Sequence, residues 1–339
     1  MADVADLEGF ERVDLVGGPT PLHPLPRLSE ELGTEIWIKR DDLGATGLGG
    51  NKLRKLEYLV GDALATGCDA LVTFGAVQSN HARQTAAAAA RFGLECHVIL
   101  ARAVPRTDDL YLTGGNLLLD ELFGARVWTC DADPADLATT VHAVEAELSA
   151  AGATARWIAT GGSEPVGALG YVAAAAELHS QFGEADLDPC ALVFASASGG
   201  THAGLVAGIR RSAGAAGRRP PVVGVGVYAS QEETRSTVRT LEAEVSALLD
   251  MERGADSDIR VLGGHLGPGY GVPTDDMRGA VAMFARCEGL VLDPVYTGKA
   301  AAGLVAGCRS GEFGADGPVV FLHTGGSPGV FAYGRDILA

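Results

Sequence analysis

Several short segments of the chain gather reactive or polar side chains around glycine. In 47–55, GLGGNKLRK, a glycine-rich turn leads into a helix whose first residues include Lys52. A lysine there stands near the positive end of the helix dipole. Partial burial would lower its proton affinity further and free a nucleophilic amine able to form a Schiff base. Taken alone, the segment reads more simply as a solvated lysine at a helix start. In 74–84, FGAVQSNHARQ, a strand ends at Gly75, and Gln78, Ser79, Asn80 and His81 fill the turn before an Ala-rich helix. Ser79 or Asn80 suits an N-cap, which accounts for one of the four. In open α/β sheets ligands bind at the carboxyl ends of strands. The loop is therefore expected to hold a substrate carboxylate, with Ser79 placed to relay a proton.

The segment 194–205, FASASGGTHAGL, is laid out as strand, small-residue turn and helix. Gly199 and Gly200 permit close backbone approach, and a helix N-terminus adds N–H groups and its dipole, so Ser198, Gly199, Gly200 and Thr201 form a candidate phosphate cradle. Neither GxxxxGK[ST] nor GxGxxG is present, and a monophosphate suits the turn better than a nucleotide. The segments 267–273, GPGYGVP, and 293–299, DPVYTGK, each set one tyrosine, Tyr270 or Tyr296, among glycines and prolines. Both are candidates for proton transfer or for stacking on a ring; each alone reads equally as a surface tyrosine on a rigid loop. In 321–326, FLHTGG, Thr324 has a hydroxyl to offer a ring nitrogen, while His323 reads as a satisfied core histidine.

These segments need elements to hold them. Apolar runs at 35–41, 70–75, 96–101, 126–130, 155–159, 191–196, 222–227, 259–263 and 319–323 alternate with helical stretches such as 53–67, 79–93, 116–124, 136–152, 201–214 and 300–311. Continuous Val/Ile/Leu runs separated by helices predict βαβ units and parallel sheets buried on both faces. Glycines at 67, 93 and 124 close helices tightly. That leaves long loops at 40–51, 102–115, 160–168 and 264–275 for function. A chain of 339 residues accommodates two domains, and the pattern crosses between them near residue 50 and again near 163. The 47 glycines, about twice the usual share of roughly 7%, collect at strand-to-helix turns.

Composition removes other classes. A formal net charge of −17 opposes sequence-independent nucleic-acid binding and docking on an anionic membrane. No apolar run approaches the roughly 18 residues of a membrane span. The opening MADVADLEGFERVDL has neither the basic nor the apolar region of a secretory signal, so a cytoplasmic setting is expected. The 6 cysteines lack any CxxC, and the 8 histidines lack HxH or HExxH, so no metal site is expected.

Taken together, GGNKLRKLEYL, GAVQSNHARQTAA, SGGTHAGL, PGYGVP, DPVYTGKA and FLHTGG resemble the fold-type-II enzymes that use pyridoxal 5′-phosphate (PLP), and within them the D-cysteine desulfhydrase and 1-aminocyclopropane-1-carboxylate deaminase family, on its desulfhydrase side. The likeness runs from PTPLHPLPRLSEELG at 19–33 to the C-terminus. It implies an α/β fold of tryptophan synthase β-like architecture, with two domains that are each an open, mostly parallel sheet flanked by helices. Residues 1–50 and 163–339 would form a large PLP-binding domain and 51–162 a small one, with the active site in the cleft. It implies a homodimer and a small amino-acid substrate. Lys52 would be the Schiff-base lysine, with Asn51 and Lys55 helping to position the cofactor. Asn80 would lie near the cofactor's 3′-oxygen. Ser79 would touch the substrate carboxylate or carry its proton, with Gln78, Asn80 and His81 beside it. Ser198, Gly199, Gly200 and Thr201 would hold the phosphate, Tyr270 and Tyr296 would form an active-site pair, and Thr324 would meet the pyridine nitrogen.

Two departures bear on the reaction. The deaminases carry Glu after the second tyrosine, where this chain has Thr297, so the ring would be a weaker electron sink. That favours β-elimination from a small β-substituted amino acid, D-cysteine foremost, over cyclopropane opening. Many relatives carry Thr after the lysine, where this chain has Leu53, which leaves fine substrate preference open. Elimination of sulfite from L-cysteate, or of another group from a β-substituted alanine, is an alternative. The sulfonate would call for a basic side chain, for which Arg83 and Arg102 are nearest in sequence. A non-catalytic PLP-binding protein is the remote alternative.

Overall fold

The computed structural model describes residues 7–213, 219–314 and 316–338. Its strands are β1 (Leu22–Pro24), β2 (Ile36–Lys39), β3 (Ala70–Ala76), β4 (Glu95–Arg102), β5 (Arg126–Asp131), β6 (Ala155–Ile158), β7 (Ala191–Ser196), β8 (Val222–Gly226), β9 (Arg260–Leu262) and β10 (Val319–Leu322). Every apolar run named above becomes one of them. They form a six-stranded sheet in the order β1-β2-β10-β7-β8-β9 and a four-stranded sheet in the order β5-β4-β3-β6. All pairings are parallel except β1 with β2. Parallel strands need helical crossovers that cover both faces, which is why β7, β8 and β10 are buried along their whole length.

Some loops are shorter than the sequence suggests. Pro165 occupies the first turn of the long helix Pro165–Glu184, so the expected loop 160–168 ends early. Asp108 caps a short helix, Asp109–Thr113, inside 102–115. Thr274 Oγ1 accepts from Met277 N and ends the 264–275 loop at the helix Asp275–Glu288. The antiparallel edge strand β1 has no counterpart in the sequence reading.

Helices Lys52–Ala65, Pro165–Glu184 and Gly200–Ala213 approach one another backbone to backbone. A Cβ on Gly170 would collide with the Arg54 carbonyl oxygen, and one on Gly204 with that of Ala168. Where the first two helices meet the N-terminal segment, a charged network is buried. Arg54 donates to Asp41 through Nε (3.0 Å) and Nη2 (2.9 Å), and to Glu177 Oε2 through Nη1 (2.8 Å). Lys39 Nζ pairs with Glu177 and donates to Thr20 O (2.7 Å) and Gln181 Oε1 (2.7 Å). Tyr171 OH donates to Asp41 Oδ2 (2.6 Å). Burial opposes ionisation of Asp41, but Arg54 outweighs it and holds the carboxyl at about 2. The stability this contributes is present above the ordinary carboxylate range and is lost as pH falls toward 2. Arg54→Met would leave two buried carboxylates facing one lysine. We expect it to lose about 3–5 kcal/mol in denaturant unfolding, and a loss under about 1 kcal/mol would show the network to be dispensable.

Candidate active site

The carboxyl ends of β3, β7 and β10 open on one cavity of about 740 Å³. Lys52, Ser79, Asn80, His81, Ser198, Gly199, Thr201, Tyr270, Tyr296 and Thr324 all line it, with Asn51 at its base. The sequence scatters these residues from 51 to 324, and the sheets bring them together.

Asn51 is the hub at the lysine. Its backbone N donates to Thr324 O (3.0 Å), its Nδ2 to Thr201 Oγ1 (2.9 Å), and its Oδ1 accepts from Lys52 Nζ (3.0 Å). Three separate segments are thereby fixed around one amine. Burial pushes the Lys52 amine down to about 8, against the pull of Asp293 and with help from Arg83. A usable fraction is then unprotonated near neutral pH, as a nucleophilic lysine requires.

Lys55 sits one turn further along the same helix, wholly buried, and donates to Gly161 O (3.0 Å) and Ser163 Oγ (3.1 Å). Among the described residues no carboxylate pairs with it. Burial, and then Lys52, push its amine well below the ordinary value. Ser163 Oγ accepts from Gly200 N (3.1 Å) and meets Ser198 Oγ at 2.7 Å. Gly199 holds a φ of +88°, open to glycine, and a Cβ on Gly200 would fall 2.7 Å from both Lys55 Nζ and Ser163 Oγ. A buried amine without a counter-ion, two hydroxyls and a helix N-terminus thus converge on one turn, a donor set suited to a phosphate.

Tyr270 and Tyr296 hydrogen-bond to each other through their hydroxyls. Burial raises both, Tyr270 to about 12, so both stay protonated at neutral pH. Tyr228 stacks edge-on against Tyr270 at 5.1 Å and lies at the cavity mouth. The loop of Tyr270 is fastened on either side: Lys299 Nζ donates to Leu266 O (2.6 Å) and Gly269 O (3.1 Å), and Tyr333 OH donates to Gly271 O (2.7 Å). The loop of Tyr296 is pinned by the buried Asp293, whose carboxylate accepts from the backbone N of Val295 (2.9 Å), Tyr296 (2.8 Å) and Thr297 (2.8 Å). Thr297 Oγ1 donates to Asp293 Oδ1 (2.6 Å), and Thr297 does not line the cavity. Thr324 does line it, with its hydroxyl unpartnered among the described residues.

The 78–81 run divides. Ser79 Oγ caps the helix Asn80–Phe92 by accepting from Ala82 N (3.1 Å), and it faces the cavity. Asn80 lines the cavity with its Oδ1 accepting from Asn116 Nδ2 (2.8 Å), which leaves its Nδ2 as a donor on the wall. Gln78 lies outside the cavity: its Nε2 donates to Tyr111 O (2.6 Å) and Gly114 O (2.9 Å), and its Oε1 accepts from Asn116 N (2.8 Å). A substrate contact expected of Gln78 is therefore not what the structure places there. Thr73 Oγ1 donates its one proton to Ile158 O (3.0 Å) and so accepts from His81 Nε2 (2.8 Å). Burial, then Lys52 and Lys55, keep the His81 ring neutral. Its Nδ1 is a buried lone pair without a partner among the described residues, unsuited to a substrate carboxylate. His323 is satisfied as expected: its Nδ1 accepts from Gly325 N (3.2 Å), so Nε2 donates to Val291 O (3.1 Å).

Sequence reading missed Ser163, Asn116, Tyr228, Asp293 and Lys299. The TGGSEP loop signalled the first, and the Asp-Pro at 293–294 the fourth. Nothing in the sequence pointed to Asn116. One further cluster, Glu95, His97 and Glu147, brings ligand-type atoms within 4.8 Å of one another. Trp128 Nε1 donates to His97 Nδ1 (3.2 Å), so the neutral ring carries its proton on Nε2 and gives it to Glu95 (3.1 Å). In this arrangement both ring nitrogens of His97 are already engaged.

The family model described as "Pyridoxal-phosphate dependent enzyme" matches residues 13–325. The chain belongs to that family. Its cofactor is PLP, and the lysine, cradle and donors above fit it. A D-cysteine desulfhydrase of Salmonella choleraesuis (strain SC-B67) is 46% identical over 330 residues, 96% of this chain and 97% of the relative. The crystal structure of an ACC deaminase homologue superposes with a TM-score of 0.86 at 38% identity, covering 98% of this chain and 97% of that one. The crystal structure of a T.th. threonine deaminase, at 22% identity and a TM-score of 0.63 over 91% of this chain and 92% of its own, shares the fold-type-II architecture.

Lys55→Met tests the cradle. Replacing a buried amine that has no counter-ion with an apolar side chain should raise the melting temperature of the cofactor-free protein. The same change should weaken PLP binding at least roughly tenfold, the worth of one hydrogen bond to a charged group. A variant that binds PLP as wild type does would remove Lys55 from the site.

Proposed function

We propose that the protein eliminates the β-substituent of a small amino acid, converting D-cysteine to pyruvate, ammonia and hydrogen sulfide. The observation that carries this reading is one cavity lined together by a desolvated Lys52, Ser79 and the protonated Tyr270–Tyr296 pair. Identity with curated D-cysteine desulfhydrases over nearly the whole chain supports the substrate.

Bound through Lys52, PLP supplies an electron sink for the charge left at Cα. Lys55, Ser163, Ser198, Gly199, Gly200 and Thr201 would hold its phosphate, and Asn51 orients Lys52. Asn80 offers an N–H to an anionic oxygen, and the Thr324 hydroxyl is free for a ring nitrogen. Lys52 would take the Cα proton, with Ser79 on the same cavity wall as relay. A tyrosine of the pair protonates the departing thiolate, since both hydroxyls hold their protons at working pH.

The geometry also weighs between leaving groups. Lys52 is the only lysine or arginine lining the cavity among the described residues. Arg83 is buried and donates to Gly49 O (2.8 Å) and Asn116 Oδ1 (3.2 Å), while Arg102 pairs with Asp131 on the surface (3.2 Å). Apart from Lys52 itself, a sulfonate would find no lysine or arginine on the cavity wall among the described residues, which disfavours L-cysteate. Thr297 is tied to Asp293 (2.6 Å) and stays off the cavity wall, so the position after Tyr296 offers no carboxyl there, which disfavours cyclopropane opening.

The two sheets support a division into a large domain, 1–50 and 163–339, and a small one, 51–162. Exposed Leu110, Leu118, Leu122 and Phe331 on neighbouring short helices support a homodimer, which light scattering at about twice 34.7 kDa would register. No described helix is long and apolar enough to cross a membrane, and a cytoplasmic setting suits the chemistry.

Incubation with D-cysteine, L-cysteate and 1-aminocyclopropane-1-carboxylate should yield sulfide from the first and little sulfite or 2-oxobutyrate from the others. Lys52→Ala should abolish both the turnover and the visible absorption band of the bound cofactor. Sulfite as the main product, or a band that survives Lys52→Ala, would overturn the assignment.

A further inference from the structure

Asn116 opens the helix Gly115–Leu122, is wholly buried and does not line the cavity. Its polar groups are nonetheless all engaged with the segments that do. Its backbone N donates to Gln78 Oε1 (2.8 Å), and its Nδ2 donates to Gln78 O (3.2 Å) and Asn80 Oδ1 (2.8 Å). Its Oδ1 accepts from Arg83 Nε (3.2 Å). Arg83 in turn donates through Nη1 to the carbonyls of Gly47 and Gly49, in the loop that delivers Lys52.

An amide side chain can present either its oxygen or its nitrogen, and the two are nearly equal in shape. Here one member of the chain has no such choice. A guanidinium only donates, so Asn116 must turn its oxygen toward Arg83. Its NH₂ then faces Asn80, and Asn80 must turn its own oxygen toward Asn116. We propose that Arg83 and Asn116 form a positioning relay that fixes the polarity of the Asn80 amide, so that Asn80 presents the cavity with an N–H and never with a carbonyl. Because Arg83 is anchored on the 47–49 carbonyls, that polarity is set by the same loop that places Lys52. The group recognised is an anionic oxygen beside the lysine. This rests on the reading of the cavity as the PLP site, where the cofactor's ring oxygen is such a group.

The test uses the PLP-loaded protein and its absorption spectrum. Asn116→Asp keeps the acceptor for Arg83 but removes the donor to Asn80, and Asn116→Leu removes both. Each variant is checked for folding by thermal unfolding. With its donor no longer enforced, the cofactor oxygen should take up a proton, and absorbance should move from the visible band toward the near-ultraviolet. The ratio of the two bands at neutral pH should change roughly tenfold or more, as expected for one hydrogen bond to a charged group. In an Asn80→Ala background the further effect of either Asn116 change should vanish, because the relay acts through Asn80. An unchanged band ratio in a folded, loaded Asn116 variant overturns the relay. So does a shift of the same size in the Asn80→Ala background, or cofactor loss in the Asn116 variants that Asn80→Ala does not share. Failure of the cofactor-site reading is distinguishable, since Lys52→Ala would then leave the visible band in place.

Discussion

The site depends on removing water from one lysine without walling it off. An amine loses its proton when burial makes the ammonium costly, yet the same amine must be reached by ligands. Lys52 meets both demands because it stands at the first turn of a helix whose remaining residues are mostly buried, while its tip faces a cavity bounded by strand ends. Asn51 gives Lys52 its one hydrogen-bond partner among the described residues and ties the segments at 201 and 324 to it. Nearly everything else near the cavity either maintains that desolvation or aims a group at what the lysine holds.

The electrostatics follow from the same constraint. Lys52, Lys55 and Arg83 lie in one buried region, where Lys52 disfavours the charge of Lys55 and Arg83 disfavours that of Lys52. His81 is kept neutral by burial and by the two lysines. Asp293 is the acid that acts on Lys52, and it is already engaged with three backbone N–H groups and Thr297. Around Lys52 and Lys55 the region is therefore short of negative charge, which the phosphate of the cofactor would supply. Such a site favours loading strongly, because the ligand relieves repulsion that folding alone leaves in place.

Much of this was legible in the sequence, for identifiable reasons. β7, β8 and β10 are covered on both faces, so they read as uninterrupted apolar runs. β1 did not, because an edge strand of Leu-His-Pro carries no periodicity and pairs through its backbone alone. The site segments were visible because glycine and polar residues interrupt the runs where strands end. What the sequence could not show is direction. Gln78 and Asn80 are the same chemistry two residues apart, yet one turns outward to hold the 111–116 segment and the other lines the cavity. Ser163 joins the 198–200 turn from a separate loop. Asn116 sits in an ordinary-looking helix, and only its hydrogen bonds reveal what it touches.

Thr297 shows how one position acts on the chemistry through the loop and not by reaching the ring. A glutamate after the second tyrosine would bring a second carboxylate beside Asp293, and two buried carboxylates that close cannot both stay ionised without cations to balance them. With Thr297, the hydroxyl instead donates to Asp293 Oδ1, while its own oxygen accepts from the backbone N of Asp293 (2.8 Å). The loop closes on itself and Asp293 remains the anchor of Tyr296. On the function proposed above, what is given up is a carboxyl that would make the bound cofactor a stronger electron sink. A reaction that retains a good leaving group on Cβ can proceed without that sink, since the bond that breaks already accepts the electron pair. On that reading the tight Asp293–Thr297 turn and the preference for elimination over ring opening have one origin, the hydroxyl at position 297.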